Sequence, residues 1–152
     1  QRSVFNMSVY DNILGVAQIS IKGIDKQKEI TEKLLDEFNL QHLRSLNANV
    51  LSGGELRRLM MARVMINDPK VVLLDEPYAA LDPLIIQDIS KYILSIQAKK
   101  TSIIVSDHNV KNLFDIVDRA YVLGSQGVIA EGTPRELLKS SKAVESYFGS
   151  NF

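Results

Sequence analysis

Hydrophobic positions along the chain follow two different periods. Val71-Val72-Leu73-Leu74 is an unbroken apolar run, followed at once by Asp75-Glu76-Pro77. A short run of this kind, rich in β-branched residues and closed by a turn residue, predicts a strand buried on both faces. Residues 102–105 read the same way and end in Ser106-Asp107-His108-Asn109. Elsewhere the spacing is helical. Ile30, Leu34, Leu35 and Phe38 share one face of a helix predicted over 25–39, while Lys26, Lys28, Glu32, Lys33 and Asp36 form a solvated face. Leu59, Met60, Val64 and Met65 are the inward positions of a helix over 56–67, which Asn67-Asp68-Pro69 stops. Ile85, Ile86, Ile89, Tyr92, Ile93 and Ile96 make the apolar face of a helix over 84–96.

Boundary residues sharpen these elements. Ser8 with Asp11 reads as a capping-box start for a helix over 12–18. Asp82-Pro83 supplies an N-cap and a proline at the first helical position. Short strands over 119–123 and 128–130 flank Gly124-Ser125-Gln126-Gly127, a hairpin signal. Thr133, Pro134 and Glu136 combine three helix-start signals, and helices near 135–140 and 143–148 close the chain. A helix is also predicted over 110–117, and a helical turn near His42, a surface or packing residue.

Composition narrows the classes. A chain of 152 residues supports one core and is short for two. It is 45% hydrophobic and 24% charged, as soluble globular proteins are. Lys+Arg and Asp+Glu balance at 18 each, which argues against general nucleic-acid binding. Without cysteine, disulfides and thiolate metal sites are excluded. No apolar run approaches the roughly 20 residues that span a bilayer, and the first residues lack a signal pattern. A cytoplasmic location is the expectation.

Two stretches carry candidate chemistry. In an open parallel α/β sheet, ligands bind at the carboxyl ends of the strands. A strand delivering Asp75 and Glu76 to that edge can hold Mg²⁺ and a water beside a nucleotide; an acidic surface turn is the plainer reading. Leu51-Ser52-Gly53-Gly54-Glu55 precedes a helix. Its glycines leave backbone N–H groups open to an anion, and Ser52 can cap the helix and offer its hydroxyl to a phosphate. A plain helix start is again the bland alternative. His108, just past the second core strand, lies at the same sheet edge as the two acids. It can bond a γ-phosphate and hold an attacking water. Asp82 is accounted for locally as an N-cap.

Taken together, LSGGE, a helix, a strand ending in Asp-Glu, Ala80-Leu81-Asp82 and a strand followed by His108 resemble the ATP-binding-cassette (ABC) ATPases, in the family's order. The resemblance implies an α/β fold: the C-terminal part of an ABC-type P-loop ATPase, a mostly parallel sheet flanked by helices plus a helical subdomain. Residues 1–68 would be that subdomain with the signature turn and its helix, and 69–152 the remaining core. It implies ATP and Mg²⁺ as ligands. Glu76 would be the general base and His108 would steady the γ-phosphate and water. Ser52, Gly53, Gly54 and Glu55 would form the ATP-binding turn facing the opposite subunit, with Asp82 in the loop that crosses to it. Asp75 would hold Mg²⁺, joined by Gln1 as the family's glutamine, although the spacing from Gln1 to Ser8 is slightly short of the family pattern. Implied partners are a second ATPase subunit and membrane-spanning subunits, with Phe5, Met7 and Tyr10 placed to line the docking groove for the latter.

Local wording points further. Ser8-Val9-Tyr10-Asp11-Asn12, Asp107-His108-Asn109-Val110, Glu131-Gly132-Thr133-Pro134 and Tyr147-Phe148-Gly149-Ser150-Asn151-Phe152 resemble the lipopolysaccharide-export branch of the family, at the cytoplasmic face of the inner membrane. Branched-chain amino-acid importers are the near alternative, and a non-catalytic interaction module is the alternative of a different class. None of the eight glycines begins a G-x-x-x-x-G-K-[ST] phosphate loop. The expectation is therefore a partial cassette that is inactive alone and leaves a sheet edge exposed.

Overall fold

The computed structural model describes residues 4–124 and 127–140. In chain order the elements are α1 (Val9–Ser20), α2 (Ile24–Glu37), α3 (Gly53–Met65), β1 (Val71–Asp75), α4 (Pro83–Ala98), β2 (Ser102–Ser106), α5 (Val110–Phe114), β3 (Ala120–Gly124), β4 (Gly127–Gly132) and α6 (Pro134–Leu137). Two 3₁₀ turns, Gln41–Leu43 and Ala48–Val50, link α2 to α3. The chain divides after His108 into two compact units. Gln1, Ser125, Gln126, the helix expected over 143–148 and the Tyr147–Phe152 tail lie outside the described residues.

Caps set where the helices of the first unit begin. Ser8 accepts from Asp11 N at 3.0 Å and starts α1. The chain turns away after α2 at Asn39, whose left-handed φ of 49° asparagine tolerates better than most residues. Apolar stripes of α1 and α2 then close on each other, and Val9, Ile13, Ala17, Leu35 and Phe38 are fully buried. Asn12, also fully buried, is satisfied throughout. Its amide nitrogen donates to the Phe5, Met7 and Ser8 carbonyls, and its oxygen accepts from Phe5 N at 2.9 Å. The side chain thus binds the segment before α1 to the first turn of the helix.

Helix α3 differs from the sequence expectation in phase. Leu59 and Met65 are buried as read, but Met61 and Ala62 fill the positions expected of Met60 and Val64, and Val64 is 45% exposed. The cause is that α3 packs against α1 on one side and α4 on another. Its buried surface is therefore wider than the single stripe that periodicity selects.

Strands β1 and β2 pair in parallel, with Val71 opposite Ser102, Leu73 opposite Ile104 and Asp75 opposite Ser106. The expectation of strands buried on both faces fails. Val72 is 3% exposed, whereas Val71, Leu73 and Ile104 are 52%, 73% and 63% exposed. The reason is coverage: β1 and β2 form a two-stranded sheet among the described residues, and α4 packs on β2. Burial on both faces needs a layer on each side.

In the second unit β3 and β4 form the expected hairpin, antiparallel with Gly124 opposite Gly127. Val122 and Leu137 are its buried centre, with Phe114, Ala120, Ile129 and Ala130 around them. Thr133 accepts from Glu136 N while Glu136 accepts from Thr133 N, a full capping box. Helix α5 ends at Phe114, earlier than the 110–117 expected.

Because Asn12 is fully buried with its amide nitrogen and oxygen both engaged, truncating it removes four part-buried hydrogen bonds to the backbone. Asn12→Ala should lower unfolding free energy by about 2–3 kcal/mol, measured by urea denaturation.

Candidate functional site

Beyond Asp75 the β1–β2 ladder continues for one more bond: Glu76 N donates to Ser106 O at 2.7 Å. Glu76 then turns into the left-handed region, φ 47°. For a non-glycine residue that costs on the order of 1 kcal/mol and survives only where neighbours over-determine it. Here Ala79 N bonds back to Glu76 O at 3.2 Å, and Arg57 reaches the same carbonyl at 3.4 Å. Tyr78, 3% exposed, anchors the turn; its hydroxyl lies 2.7 Å from Ser90 Oγ on α4, and its backbone N–H donates to Asp107 Oδ2 at 3.0 Å.

The turn brings the sequence-derived acids and imidazole together. His108 Nδ1 is 3.8 Å from Glu76 Oε1, and both side chains are more than half exposed. Asp75, on the same rim, accepts from Ser106 Oγ at 2.5 Å. The rim therefore offers two accessible carboxylates and an imidazole to a ligand. Among the described residues no group of three or more His, Asp or Glu side chains converges as a metal cage. Mg²⁺ is usually held by one or two carboxylates plus phosphate oxygens and water, so the all-oxygen donor Asp75, open to solvent, fits it.

The Ser-Gly-Gly turn is the second part. Ser52 caps α3: it accepts from Glu55 N at 3.4 Å and its hydroxyl donates to Glu55 Oε2 at 2.6 Å, while Ser52 N donates to the same oxygen at 2.8 Å. Those bonds from the Ser52 hydroxyl and then its backbone N–H hold the Glu55 carboxyl below its ordinary value. The hydroxyl proton is thus committed to Glu55, and a phosphate would have to compete for it. Close approach restricts Gly54 severely and Gly53 less. A Cβ on Gly53 would lie 3.1 Å from Leu81 Cδ2, and one on Gly54 only 2.6 Å from Ile85 Cγ2. A small cavity opens beside the turn, lined by Ser52, Gly54, Glu55, Arg58, Ile85 and Asp88 among others.

Asp82 caps α4, accepting from Leu84 N at 3.0 Å and Ile85 N at 3.1 Å. His42 is exposed, as expected of a surface residue. Sequence reasoning passed over Ser106, Asp107 and Tyr78. The available signal was position alone: a polar pair between an apolar strand and a candidate histidine.

The model of the ABC transporter family matches residues 1–79. The chain is 36% identical to LptB, the lipopolysaccharide export system ATP-binding protein of Haemophilus influenzae, over 100% of its own length and 64% of the relative's. It matches LptB of Escherichia coli equally, 36% identical with the same coverage. Among solved structures, cbiO1 of Clostridium perfringens, part of the ABC transporter complex cbiONQ, superposes with a TM-score of 0.84 at 26% identity, covering 94% of this chain and 57% of that one. The ADP conformation of MJ1267, an ATP-binding cassette of an ABC transporter, gives a TM-score of 0.79 at 29% identity, covering 95% and 64%. The chain thus spans about two-thirds or less of the length of these relatives.

Two outcomes follow from the Ser-Gly-Gly geometry. Gly54→Ala should destabilise the fold by about 1–3 kcal/mol through overpacking, and Ile85→Ala in the same chain should remove most of that penalty. Ser52→Ala should cost about 1 kcal/mol near neutral pH. Since the Glu55 carboxyl is depressed in the folded state, its contribution is present above its ordinary value of 4.5 and lost as pH falls below it. The gap in urea midpoint between Ser52→Ala and the parent chain should therefore narrow in acid.

Proposed function

The chain belongs to the ABC transporter family, and from that premise we propose that it is part of an ATP-binding and ATP-hydrolysing subunit that powers lipopolysaccharide export. The observation that carries the reading is the meeting of Glu76 and His108, 3.8 Å apart, at the rim where Asp75 also stands. An exposed carboxylate next to an imidazole at a strand end suits the hydrolysis of a phosphoanhydride. In this reading Glu76 accepts a proton from the attacking water, and His108 holds that water and bonds the γ-phosphate. Asp75 would hold Mg²⁺ together with Gln1; the ion, when bound, neutralises charge on the phosphate oxygens. Ser52, Gly53, Gly54 and Glu55 would complete the ATP site of a second subunit, with Asp82 at the crossing loop. Most of the rate enhancement comes from position and electrostatics rather than covalent chemistry.

The partners in this proposal are a second copy of the subunit and membrane-spanning subunits at the cytoplasmic face of the inner membrane. Residues 1–68 act as the helical subdomain and 69–152 as the rest of the core. Phe5 and Met7, 51% and 40% exposed, and the half-buried Tyr10 would form the membrane-subunit contact, with Arg63 stacked over the Phe5 ring at 5.0 Å. Among the described residues no helix is long and apolar enough to cross a membrane. The lipopolysaccharide assignment is supported by the 36% identity to LptB proteins.

The test joins this chain to a segment that carries a G-x-x-x-x-G-K-[ST] loop. The joined polypeptide should hydrolyse ATP, Glu76→Gln should lower the rate by about 100-fold or more with ATP still bound, and the 152-residue chain alone should show no turnover. Hydrolysis indifferent to Glu76 would overturn the assignment.

A further inference from the structure

Asp107 is the one carboxylate of this rim that faces away from solvent: its side chain is 0% exposed, while Glu76 and His108 beside it are 58% and 71% exposed. A buried carboxylate is costly unless its oxygens are engaged. Asp107 Oδ2 accepts the backbone N–H of Tyr78 at 3.0 Å, and Oδ1 lies 3.8 Å from His108 Nδ1. The same imidazole nitrogen is 3.8 Å from Glu76 Oε1. Asp107 therefore touches both arms of the site, the turn that presents Glu76 and the loop that presents His108.

Its place in the backbone explains why that matters. Glu76 sits at φ 47° between two bonds to consecutive residues at the end of β2: Glu76 N to Ser106 O, and Tyr78 N to Asp107 Oδ2. The first continues the ladder. The second closes the turn on its far side, and Tyr78 is pinned at its other end by Ser90. A strained φ of this kind relaxes when one of its restraints is lost. Without the Asp107 carboxylate, the turn loses one of the bonds that hold Glu76 near the imidazole.

We propose that Asp107 is a positioning residue that clamps the Glu76 turn to the His108 loop and so sets the distance between the two groups. The clamp is a property of this chain's geometry; its effect on catalysis rests on the function proposed above. A carboxylate bonding a backbone N–H is a charge-assisted contact, stronger than a neutral one. Asparagine retains an acceptor oxygen for Tyr78 and removes the charge beside His108; alanine removes both.

The experiment uses ¹⁵N NMR of the 152-residue chain and kinetics of the joined polypeptide. Asp107→Ala should speed exchange of the Tyr78 amide by about tenfold or more, while amides in α1 and α2 keep their protection. Asp107→Asn should hold the Tyr78 amide within about threefold of the parent. In the parent, Glu76→Gln should shift the His108 ring nitrogen signals; in the Asp107→Ala background that shift should fall by about half or more, because the pair has separated. In the joined polypeptide Asp107→Ala should lower kcat about tenfold with KM for ATP nearly unchanged, and Asp107→Asn should recover part of the loss. An unchanged Tyr78 exchange rate, or a Glu76-dependent shift of full size in Asp107→Ala, would overturn the clamp. A joined polypeptide whose hydrolysis ignores Glu76 would overturn the function instead, while the NMR arms still decide the clamp.

Discussion

Parallel pairing between Val71–Asp75 and Ser102–Ser106 is the constraint on which the site depends. In this register Asp75 stands opposite Ser106, so Ser106 Oγ can hold the Asp75 carboxylate, and the next backbone bond, from Glu76 N to Ser106 O, follows without a break. Side chains alternate across a strand, so a slip of one residue would turn Asp75 to the opposite face and remove its Ser106 partner. The adjacency of Glu76 and His108 is thus a property of the ladder first and of the side chains second.

Around this ladder the first unit uses tight local bonds where chain direction changes. Ser8, Ser52 and Asp82 each cap a helix with a side-chain oxygen. The most stringent demand is on Gly54, because the start of α3 runs so close to Ile85 on α4 that no side chain fits between them. Gly54 therefore has a packing role in its own right.

The elements and most of the candidate site were legible in the chain because they rest on local chemistry. The caps at Ser8, Asp82 and Thr133, the helical stripe of α4 and the Gly124–Gly127 hairpin each involve residues a few positions apart. The order of the Ser-Gly-Gly turn, the acidic strand end and His108 was likewise readable, and it pointed to the family that the chain belongs to. Less legible was which side of α3 would be buried: Met61 and Ala62 face inward because two neighbouring helices contact that helix, and a single periodic stripe cannot represent two contact faces.

The sequence by itself determined which residues cap α1, α4 and α6, and that two acids and a histidine follow apolar strands, since these depend on short-range sterics and hydrogen bonding. Only the tertiary structure decided that Leu73 and Ile104 stay exposed, that Gly54 has no room for a methyl group, and that Asp107 is buried against Tyr78. Each of those depends on what packs across from a residue far away in the chain. Asp107 and Tyr78 are separated by 29 positions, a distance that no local pattern spans.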